Sequence, residues 1–161
     1  MAETASAANT QNKAPQFHIE KLYLKDLSFE SPHTPESFMQ QGEPKVDFNM
    51  ETRAQQRGPE HYEVVLHINV KVNLQDKVLF LVEMEYGGLF LVRNLPAEHL
   101  QPILSVECPH ILFPFARQVV AQVVADGGYK PFIMDPINFA AVYQQSLQQR
   151  NQQNAGKPVT Q

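Results

Sequence analysis

The stretch YEVVLHINVKVNLQDKVLFLVEMEYGGLFLVRNL, residues 62–95, decides the fold. Apolar side chains occupy the even positions from 64 to 74 and again from 78 to 86, while most odd positions in both runs are polar. A period of two is typical of a strand with one buried face. The stretch therefore predicts two antiparallel strands joined by a tight turn.

The length of that turn sets which side chains share a face. A two-residue turn that pairs Leu74 with Lys77 would set the apolar row of one strand beside the odd positions of the other. A three-residue turn pairs Leu74 with Val78 and Val70 with Val82, which brings both apolar rows to one face. We predict the three-residue turn.

The opposite face of this hairpin carries mostly polar side chains. The predicted register forms three cross-strand pairs there: His67 with Glu85, Asn69 with Glu83, and Lys71 with Leu81. Such a face is either plain solvated surface or a binding surface, and the sequence alone leaves both open. Gly87-Gly88 interrupts the second strand and predicts a bulge or bend within it.

Two further strands precede the hairpin. Residues 17–30 carry an acidic row on one side and an apolar row on odd positions, namely Phe17, Ile19, Tyr23, Leu27 and Phe29. Residues 45–54 alternate strictly, with Val46, Phe48 and Met50 opposed by polar side chains. Together these segments predict a four-stranded antiparallel sheet.

The connection over residues 31–44 is rich in proline and longer than most connections within a compact domain. It carries Phe38 and Met39, which either tuck under the loop or line a binding surface. Long loops often carry function, so both residues are candidates for binding.

The C-terminal half predicts two helices that cover one face of the sheet. Proline and an acid at 96–98 mark the start of the first helix, and Asp126-Gly127-Gly128 marks its end. Pro109 and Pro114 lie inside it, so we expect a kinked or restarted helix. A last helix begins at Ile137 or Asn138, before a polar, glutamine-rich tail from residue 148. The expected domain is residues 17–149, flanked by disordered residues 1–16 and 150–161.

Composition limits the class of protein. The 161 residues are 43% hydrophobic and carry 13 basic against 17 acidic side chains, a net charge of −4. That balance argues against a nucleic-acid partner, which requires clustered Lys and Arg. No stretch reaches the roughly 20 apolar residues that span a bilayer, and residues 1–15 lack the hydrophobic run of a secretory signal. We therefore expect no membrane insertion. The single cysteine, Cys108, excludes an intrachain disulfide, so we expect a cytosolic protein.

The sequence holds no recognisable catalytic or metal-binding motif. Cys108-Pro109-His110 sets a thiol near an imidazole, but no supporting acid accompanies them, and a buried structural cysteine is expected. The six histidines show neither HxH nor HExxH spacing. We therefore expect no enzyme activity, no cofactor and no metal.

Several segments carry a family resemblance when they are taken together. They are KDLSFESP at 25–32, LVE at 81–83, GGLF at 87–90, CPHILFPFAR at 108–117 and PINF at 136–139. In order and spacing they resemble the SecB family of bacterial protein-export chaperones, over residues 17–149. The family's members carry a tryptophan in the loop after the first strand, where this chain has Gly42.

The resemblance implies a fold, an assembly and a function. It implies an α+β fold with a four-stranded antiparallel sheet, a long kinked helix and a C-terminal helix, assembled as a homotetramer that is a dimer of dimers. It further implies that the protein binds unfolded precursor polypeptides in the cytosol and delivers them to the SecA ATPase, without enzyme activity.

The resemblance also assigns a docking site for SecA, at Asp26, Glu30, Leu81 and Glu83. Carboxylates around an exposed leucine suit a basic, partly apolar partner, because charge steers the encounter and the aliphatic contact retains it. The same acids could instead serve only to discourage aggregation of the sheet.

Two further sets of candidate residues follow from side-chain chemistry. Flexible apolar and aromatic side chains suit an unfolded polypeptide, and we predict a binding surface where the loop with Phe38 and Met39 meets the last helix. The predicted contacts are Phe38, Met39, Phe132, Met134, Phe139 and Tyr143. The first helix carries two adjacent apolar stripes, more than one sheet would bury, which predicts an oligomer interface at Phe115, Val119, Val120, Val123 and Val124.

Two rival classes of function stay open on the residues alone. A small-ligand-binding or catalytic α+β domain would need convergent polar groups in the inward rows of the sheet, which are almost wholly apolar. A self-assembling scaffold would use its exposed apolar residues for assembly alone.

Overall fold

The computed structural model of the protein describes residues 13–156. Its main elements are β1 (Gln16–Glu30), β2 (Lys45–Gln56), β3 (His61–Leu74), β4 (Lys77–Arg93), α1 (Ala97–Pro102), α2 (Cys108–Asp126) and α3 (Phe139–Ala155). A 3-10 turn over Glu36–Met39 lies between β1 and β2, and a π-helical turn over Ile103–Glu107 joins α1 to α2. The predicted α+β fold of four antiparallel strands, a long kinked helix and a C-terminal helix is confirmed. Of the expected N-terminal tail, residues 1–12 lie outside the described part of the chain.

The strands form one antiparallel sheet in the order β1-β4-β3-β2. β3 and β4 occupy the middle and supply much of the core, while β1 and β2 are the edges. Helix α2 packs on one face, called the inner face here, and the opposite face is called the outer face. The even positions of residues 64–74 and 80–86 point to the inner face and are buried, as their alternation predicts.

The turn between β3 and β4 differs from the prediction. It is a two-residue turn that pairs Leu74 with Lys77, so the predicted three-residue turn is wrong. The register then skips Leu79, and this one-residue bulge restores the pairing of Val70 with Val82. The turn is one residue shorter than predicted, and the bulge adds one residue to β4. Both apolar rows therefore share the inner face.

Strand β1 contains two bulges that the sequence pattern did not reveal. Its register against β4 skips Glu20 and Lys25. Each skipped residue reverses the alternation, so that Leu22 packs on the core while Tyr23 turns to the outer face. The predicted inward position of Tyr23 is therefore wrong.

Gly87 and Gly88 do not interrupt β4, which pairs continuously with both neighbours through these residues. A Cβ atom on Gly87 would lie 2.8 Å from Cε2 of Tyr23, and one on Gly88 would lie 2.6 Å from Cε2 of Phe90. The predicted bulge or bend at Gly87-Gly88 is therefore wrong. The two glycines instead leave room for aromatic rings packed against the strand.

The long helix spans residues 97–126 and changes its winding before Pro109. In the π turn, the N–H of Cys108 donates to the carbonyl of Ile103, one residue further back than in an α-helix. Pro109 has no N–H to continue the regular ladder, so the irregularity falls next to it. Pro114 lies inside α2 without ending it.

Cys108 is completely buried. Burial, together with the nearby charge of Glu107, raises the pKa of the thiol to about 12. The side chain is therefore a small apolar core residue rather than a nucleophile, as expected.

Helix α3 is longer than predicted. Asn138 caps its start, where the side-chain oxygen accepts a hydrogen bond of 3.0 Å from the N–H of Ala141. The helix continues to Ala155, so the predicted loss of structure from residue 148 is wrong up to that point. Glutamine is a good helix former, and a polar sequence does not by itself end a helix. Residues 157–161 lie outside the described part.

Among residues 13–156, no helix is both long enough and apolar enough to cross a membrane.

Candidate functional site

One end of the outer face carries acids around a single leucine. In the β1–β4 register Glu30 lies opposite Leu81, and Asp26 lies opposite Glu85. Glu83 lies between Leu81 and Glu85 on the same face of β4. Asp26, Glu30 and Glu83 are exposed and Leu81 is partly exposed. We call Asp26, Glu30, Leu81 and Glu83 the acidic strip.

The other end of the outer face holds a buried carboxylate with three donors. Tyr23 donates to Oε1 of Glu63 at 2.5 Å and Lys25 donates to the same oxygen at 2.8 Å. Arg57 donates to Oε2 through Nε at 2.9 Å and also through Nη2. We call these four residues the Glu63 network. The network joins two cations to one carboxylate.

The network shifts the ionisation of its own members. Burial would raise the pKa of the Glu63 carboxyl, but the hydrogen bonds from Lys25, Tyr23 and Arg57 outweigh it and lower the pKa to about 2. Burial, together with the hydrogen bond to Glu63, raises the pKa of the Tyr23 phenol to about 12. Both groups therefore keep one protonation state across the physiological range.

An apolar cleft of about 410 Å³ lies between edge strand β2 and the segment that joins α2 to α3. We call it the β2 cleft, and it is lined by Val46, Phe48, Phe132, Ile133, Met134, Asp135, Pro136 and Ile137. Val46 and Phe48 are 46% and 42% exposed, and Ile133 is 64% exposed. The cleft can therefore accept apolar side chains of varied shape, while Asp135 is its one ionisable lining residue.

Helix α2 shows an apolar stripe that the sheet does not cover. Phe115, Val119 and Val123 lie along it and line a shallow depression of about 380 Å³ together with Leu27 and Tyr86. Phe115 stacks on Tyr86 with ring centroids 6.3 Å apart and is still 44% exposed. An exposed apolar strip of this kind is typical of a protein–protein interface.

The described residues contain no group of three or more His, Cys, Asp or Glu side chains placed to hold a metal ion. The candidate site is thus a set of binding surfaces. Comparison with known protein families agrees, because the family model for the preprotein translocase subunit SecB matches residues 10–150. The chain belongs to the SecB family.

Close relatives match over nearly their whole length. The protein-export protein SecB of Magnetococcus marinus is 53% identical over 158 residues, which cover 98% of this chain and 99% of the relative. SecB of Desulfotalea psychrophila is 46% identical over 158 residues, covering 96% and 99%. SecB of Dechloromonas aromatica is 42% identical over 149 residues, covering 92% and 95%. The predicted family and function are confirmed: the protein is a protein-export chaperone of a cytosolic, non-enzymatic family.

A solved structure shares the fold at low sequence identity. The Rv1957 SecB-like chaperone of Mycobacterium tuberculosis, solved in complex with a ChAD peptide from the Rv1956 HigA1 antitoxin, matches with a TM-score of 0.60 at 14% identity. The match covers 75% of this chain and 90% of that one. The likeness shows the SecB fold for this chain.

The structure brings together the four residues that the SecB resemblance assigned to docking. Asp26, Glu30, Leu81 and Glu83 lie on neighbouring strands and on one face of the sheet. Their contact with SecA stays a prediction.

The residues predicted to bind polypeptide divide into exposed and buried members. Phe38 and Met39 are 50% and 74% exposed, and Phe132 lines the β2 cleft. Met134 forms the floor of the cleft with only 3% exposure. Phe139 is 4% exposed and packs edge-on against Phe113 in the core. Phe139 is therefore a core residue of the single chain, and its contact with polypeptide stays a prediction.

The predicted meeting of the Phe38 loop with the last helix is not what the structure shows. Phe38 packs on Tyr129, with ring centroids 5.2 Å apart, rather than on α3. Tyr143 lies half-buried on α3 and is not part of the β2 cleft. Phe38 and the cleft are therefore two separate surfaces.

Sequence reasoning missed six of the eight residues that line the cleft, namely Val46, Phe48, Ile133, Asp135, Pro136 and Ile137. The strict alternation of residues 45–54 did place Val46 and Phe48 on the inner face. It could not show that β2 is an edge strand, where the inner face extends past the helices and stays open.

Two of the predicted interface residues on α2 face the sheet of their own chain. Val120 and Val124 are completely buried there, and their contact with a partner stays a prediction. Phe115, Val119 and Val123 lie on the uncovered stripe and keep that prediction.

Proposed function

We propose that this protein holds unfolded precursor polypeptides in the β2 cleft and on the exposed pair Phe38 and Met39, and delivers them to the SecA ATPase. The observation that carries the proposal is the β2 cleft, an open apolar surface beside a free strand edge. A small polar ligand would need several convergent polar groups, and the lining offers few.

The edge of β2 supports binding without regard to sequence. Because β2 pairs only with β3, one row of its backbone N–H and C=O groups has no strand partner within the described residues. An extended polypeptide can pair with that row whatever its sequence, while its apolar side chains enter the cleft beside Val46 and Phe48. Unfolded chains offer both features, and folded proteins hide them.

Weak contacts suffice if they are repeated along one bound chain. Once one segment is held, each further segment binds as an intramolecular event, which can raise affinity by about 10² to 10⁴. The cleft and the Phe38–Met39 pair provide two such contacts on each subunit, and assembly multiplies them.

We propose that assembly uses the uncovered stripe of α2 and yields the dimer of dimers of the SecB family. In the single chain Phe115 is exposed, and Val119 and Val123 are partly exposed. Burying each large apolar side chain at an interface contributes roughly 1.5–3 kcal/mol, which favours association.

We propose that SecA docks on the acidic strip. Carboxylates at Asp26, Glu30 and Glu83 attract a basic segment, and Leu81 between them gives an apolar contact. The strip lies on the outer face, whereas the β2 cleft lies on the side of the helices. The same subunit can therefore hold a polypeptide and SecA at once.

Titration with a polypeptide in two states tests polypeptide binding. We expect the protein to bind reduced and carboxymethylated lactalbumin, which cannot fold, and to ignore the native, disulfide-bonded form, as measured by calorimetry. Replacing Val46→Ser and Phe48→Ser together should weaken binding by about tenfold, since the loss of apolar contact amounts to roughly 1.4 kcal/mol.

Val142→Ser is the matched control, because Val142 is an apolar side chain of similar exposure, 52%, on α3. It should leave the affinity unchanged. Equal binding of folded and unfolded lactalbumin, or equal losses in the cleft variant and the control, would contradict the proposal.

A further inference from the structure

Three hydroxyl groups meet where three separate segments of the chain come together. Ser31 follows β1, Ser37 lies in the 3-10 turn, and Tyr129 lies in the segment after α2. The Tyr129 hydroxyl lies 2.7 Å from Oγ of Ser31 and 2.9 Å from Oγ of Ser37. Both Tyr129 and Ser31 also lie 3.0 Å from the carbonyl oxygen of Leu79. We call these four groups the hydroxyl cluster.

The bulge in β4 supplies the acceptor of this cluster. Leu79 is the residue that the β3–β4 register skips, so it has no opposite partner in β3. A buried carbonyl without a hydrogen bond is unfavourable, and the hydroxyls of Ser31 and Tyr129 supply the bonds. The bulge that corrects the sheet register thus also creates an anchor point for two loops.

Tyr129 is the junction of the cluster. Within the cluster, Ser37 has a bond only to the Tyr129 oxygen, at 2.9 Å. The hydroxyls of Tyr129 and Ser31 each donate to the Leu79 carbonyl. Removing the phenolic oxygen therefore disconnects the 3-10 turn from the sheet, while Ser31 keeps its bond to Leu79.

The ring of Tyr129 also packs against the ring of Phe38. The two ring centroids lie 5.2 Å apart, and the Tyr129 ring rests in turn on Phe80 at 4.9 Å. Gly128 has a φ of +89°, and a Cβ atom there would lie 2.9 Å from Cζ of Phe38. One side of Phe38 is thus fixed by packing, and the other side, half of its surface, faces outward.

The turn that carries Phe38 and Met39 has few bonds of its own. It is a four-residue 3-10 turn, with the N–H of Ser37 bonded to the His33 carbonyl at 2.8 Å and that of Phe38 to the Pro35 carbonyl at 3.1 Å. Short 3-10 turns have poor hydrogen-bond geometry and depend on tertiary contacts. The hydroxyl cluster supplies such a contact at Ser37.

We infer that Tyr129 is a positioning residue that presents Phe38 and Met39 to bound polypeptide by anchoring their turn through its hydroxyl group. The inference rests on the proposed binding of unfolded polypeptides. A turn that is already ordered does not lose conformational freedom when a ligand binds, so a preorganised Phe38 binds more tightly than a mobile one.

Tyr129→Phe tests the role, because it removes one oxygen atom and keeps the ring. We expect faster amide hydrogen exchange at Ser37 and Phe38 and an affinity for carboxymethylated lactalbumin that is about 2- to 10-fold weaker, with global exchange rates unchanged. Ser37→Ala should act in the same way. Ser31→Ala should have less effect, because Tyr129 can still donate directly to Leu79.

Tyr23→Phe is the matched control, since it makes the same chemical change on the outer face. It should alter neither the exchange at Ser37 and Phe38 nor the affinity. A double-mutant cycle adds a readout that general destabilisation cannot mimic: in a Phe38→Ala background, Tyr129→Phe should no longer weaken binding.

Three outcomes would overturn the inference. They are unchanged exchange and affinity in Tyr129→Phe, a rise in exchange throughout the protein, or an undiminished effect of Tyr129→Phe in the Phe38→Ala background. Failure of the unmutated protein to bind carboxymethylated lactalbumin would instead overturn the proposed function, and the exchange experiment would still report whether Tyr129 anchors the turn.

Discussion

Glu30 lies directly opposite Leu81 across strands β1 and β4, so a carboxylate and an aliphatic side chain share the outer face of the sheet. The two residues are about fifty positions apart in the chain. Antiparallel pairing of β1 with β4, rather than with its neighbour in sequence, brings them together. This pair ends the acidic strip and sets its one apolar side chain beside a carboxylate, which is the reason to expect a partner there.

We expect substitutions in the acidic strip to weaken SecA binding and to spare polypeptide binding. Glu30→Ala or Glu83→Lys removes charge that steers the partner, and Leu81→Arg removes the apolar contact and adds repulsion, so it should act more severely. Calorimetric titration with SecA measures the loss. Glu98→Ala is the control, because Glu98 is an exposed acid in the first turn of α1 and does not lie on the sheet. Normal SecA binding by Leu81→Arg would exclude the strip as the docking surface.

We expect charges on the uncovered stripe of α2 to break the assembly without unfolding the subunit. Val119→Asp and Val123→Asp place a carboxylate in the proposed interface and should yield smaller species in sedimentation velocity, with helical circular dichroism retained. Val120→Asp is the contrast, because Val120 is completely buried in its own chain and the variant should unfold. A tetramer that persists in Val119→Asp and Val123→Asp would place the interface elsewhere.

We expect Phe38 and Met39 to contribute to affinity more than to stability. Since they are 50% and 74% exposed, Phe38→Ser with Met39→Ser should lower the melting temperature by only a few degrees while weakening binding of carboxymethylated lactalbumin by about tenfold. Gln40→Ser with Gln41→Ser changes the neighbouring exposed residues and is the control. A large loss of stability would show that the pair closes the core instead.

The Glu63 network predicts a pH dependence of stability. The folded-state pKa of Glu63 is depressed to about 2 from an ordinary value of 4.5, so its contribution is fully present above pH 4.5 and is lost as the pH falls towards 2. We expect Glu63→Gln to lower the free energy of unfolding at pH 7 by about 2 kcal/mol, less than the full shift implies because Lys25 and Arg57 are partly exposed.

Urea unfolding followed by circular dichroism measures this dependence, because the chain has no tryptophan. The difference between the unmutated protein and Glu63→Gln should shrink below pH 4.5 and vanish near pH 2, at one fixed protein concentration. Glu51→Gln is the control, since the Glu51–Arg53 pair is exposed and contributes little. A difference that does not change with pH would mean that Glu63 acts by packing rather than by charge.

Alternation along single strands was enough to predict the four strands of the sheet, whereas the resemblance to the SecB family gave the acidic strip. The pairing of Val70 with Val82 follows from the need to place two apolar rows on one face, and the burial of those rows confirms it. Wherever alternation continued without a break, as in residues 45–54, the strand was predicted within two residues of its observed end at Gln56. The five motif segments, taken together in their order and spacing, were enough to predict the family.

The bulges at Leu79, Glu20 and Lys25 could not be predicted in this way. A bulge is a relation between two strands, and one extra residue in a strand leaves no local mark beyond a blurred alternation. Each bulge nevertheless decided a functional feature. The bulges in β1 place Tyr23 and Lys25 beside Glu63. The bulge at Leu79 leaves its carbonyl without a strand partner, and this carbonyl accepts a hydrogen bond from Tyr129.

The sequence by itself therefore determined which residues lie on a common face of each strand or helix, because that depends only on the periods of two and 3.6 residues. Only the tertiary structure decided which of those faces is covered. Val120 and Val124 are buried while Val119 and Val123 stay open, although all four are valines on one helix, because the sheet covers one stripe and not the next. Val46 and Phe48 stay open for the same reason, since an edge strand has a neighbour on one side only.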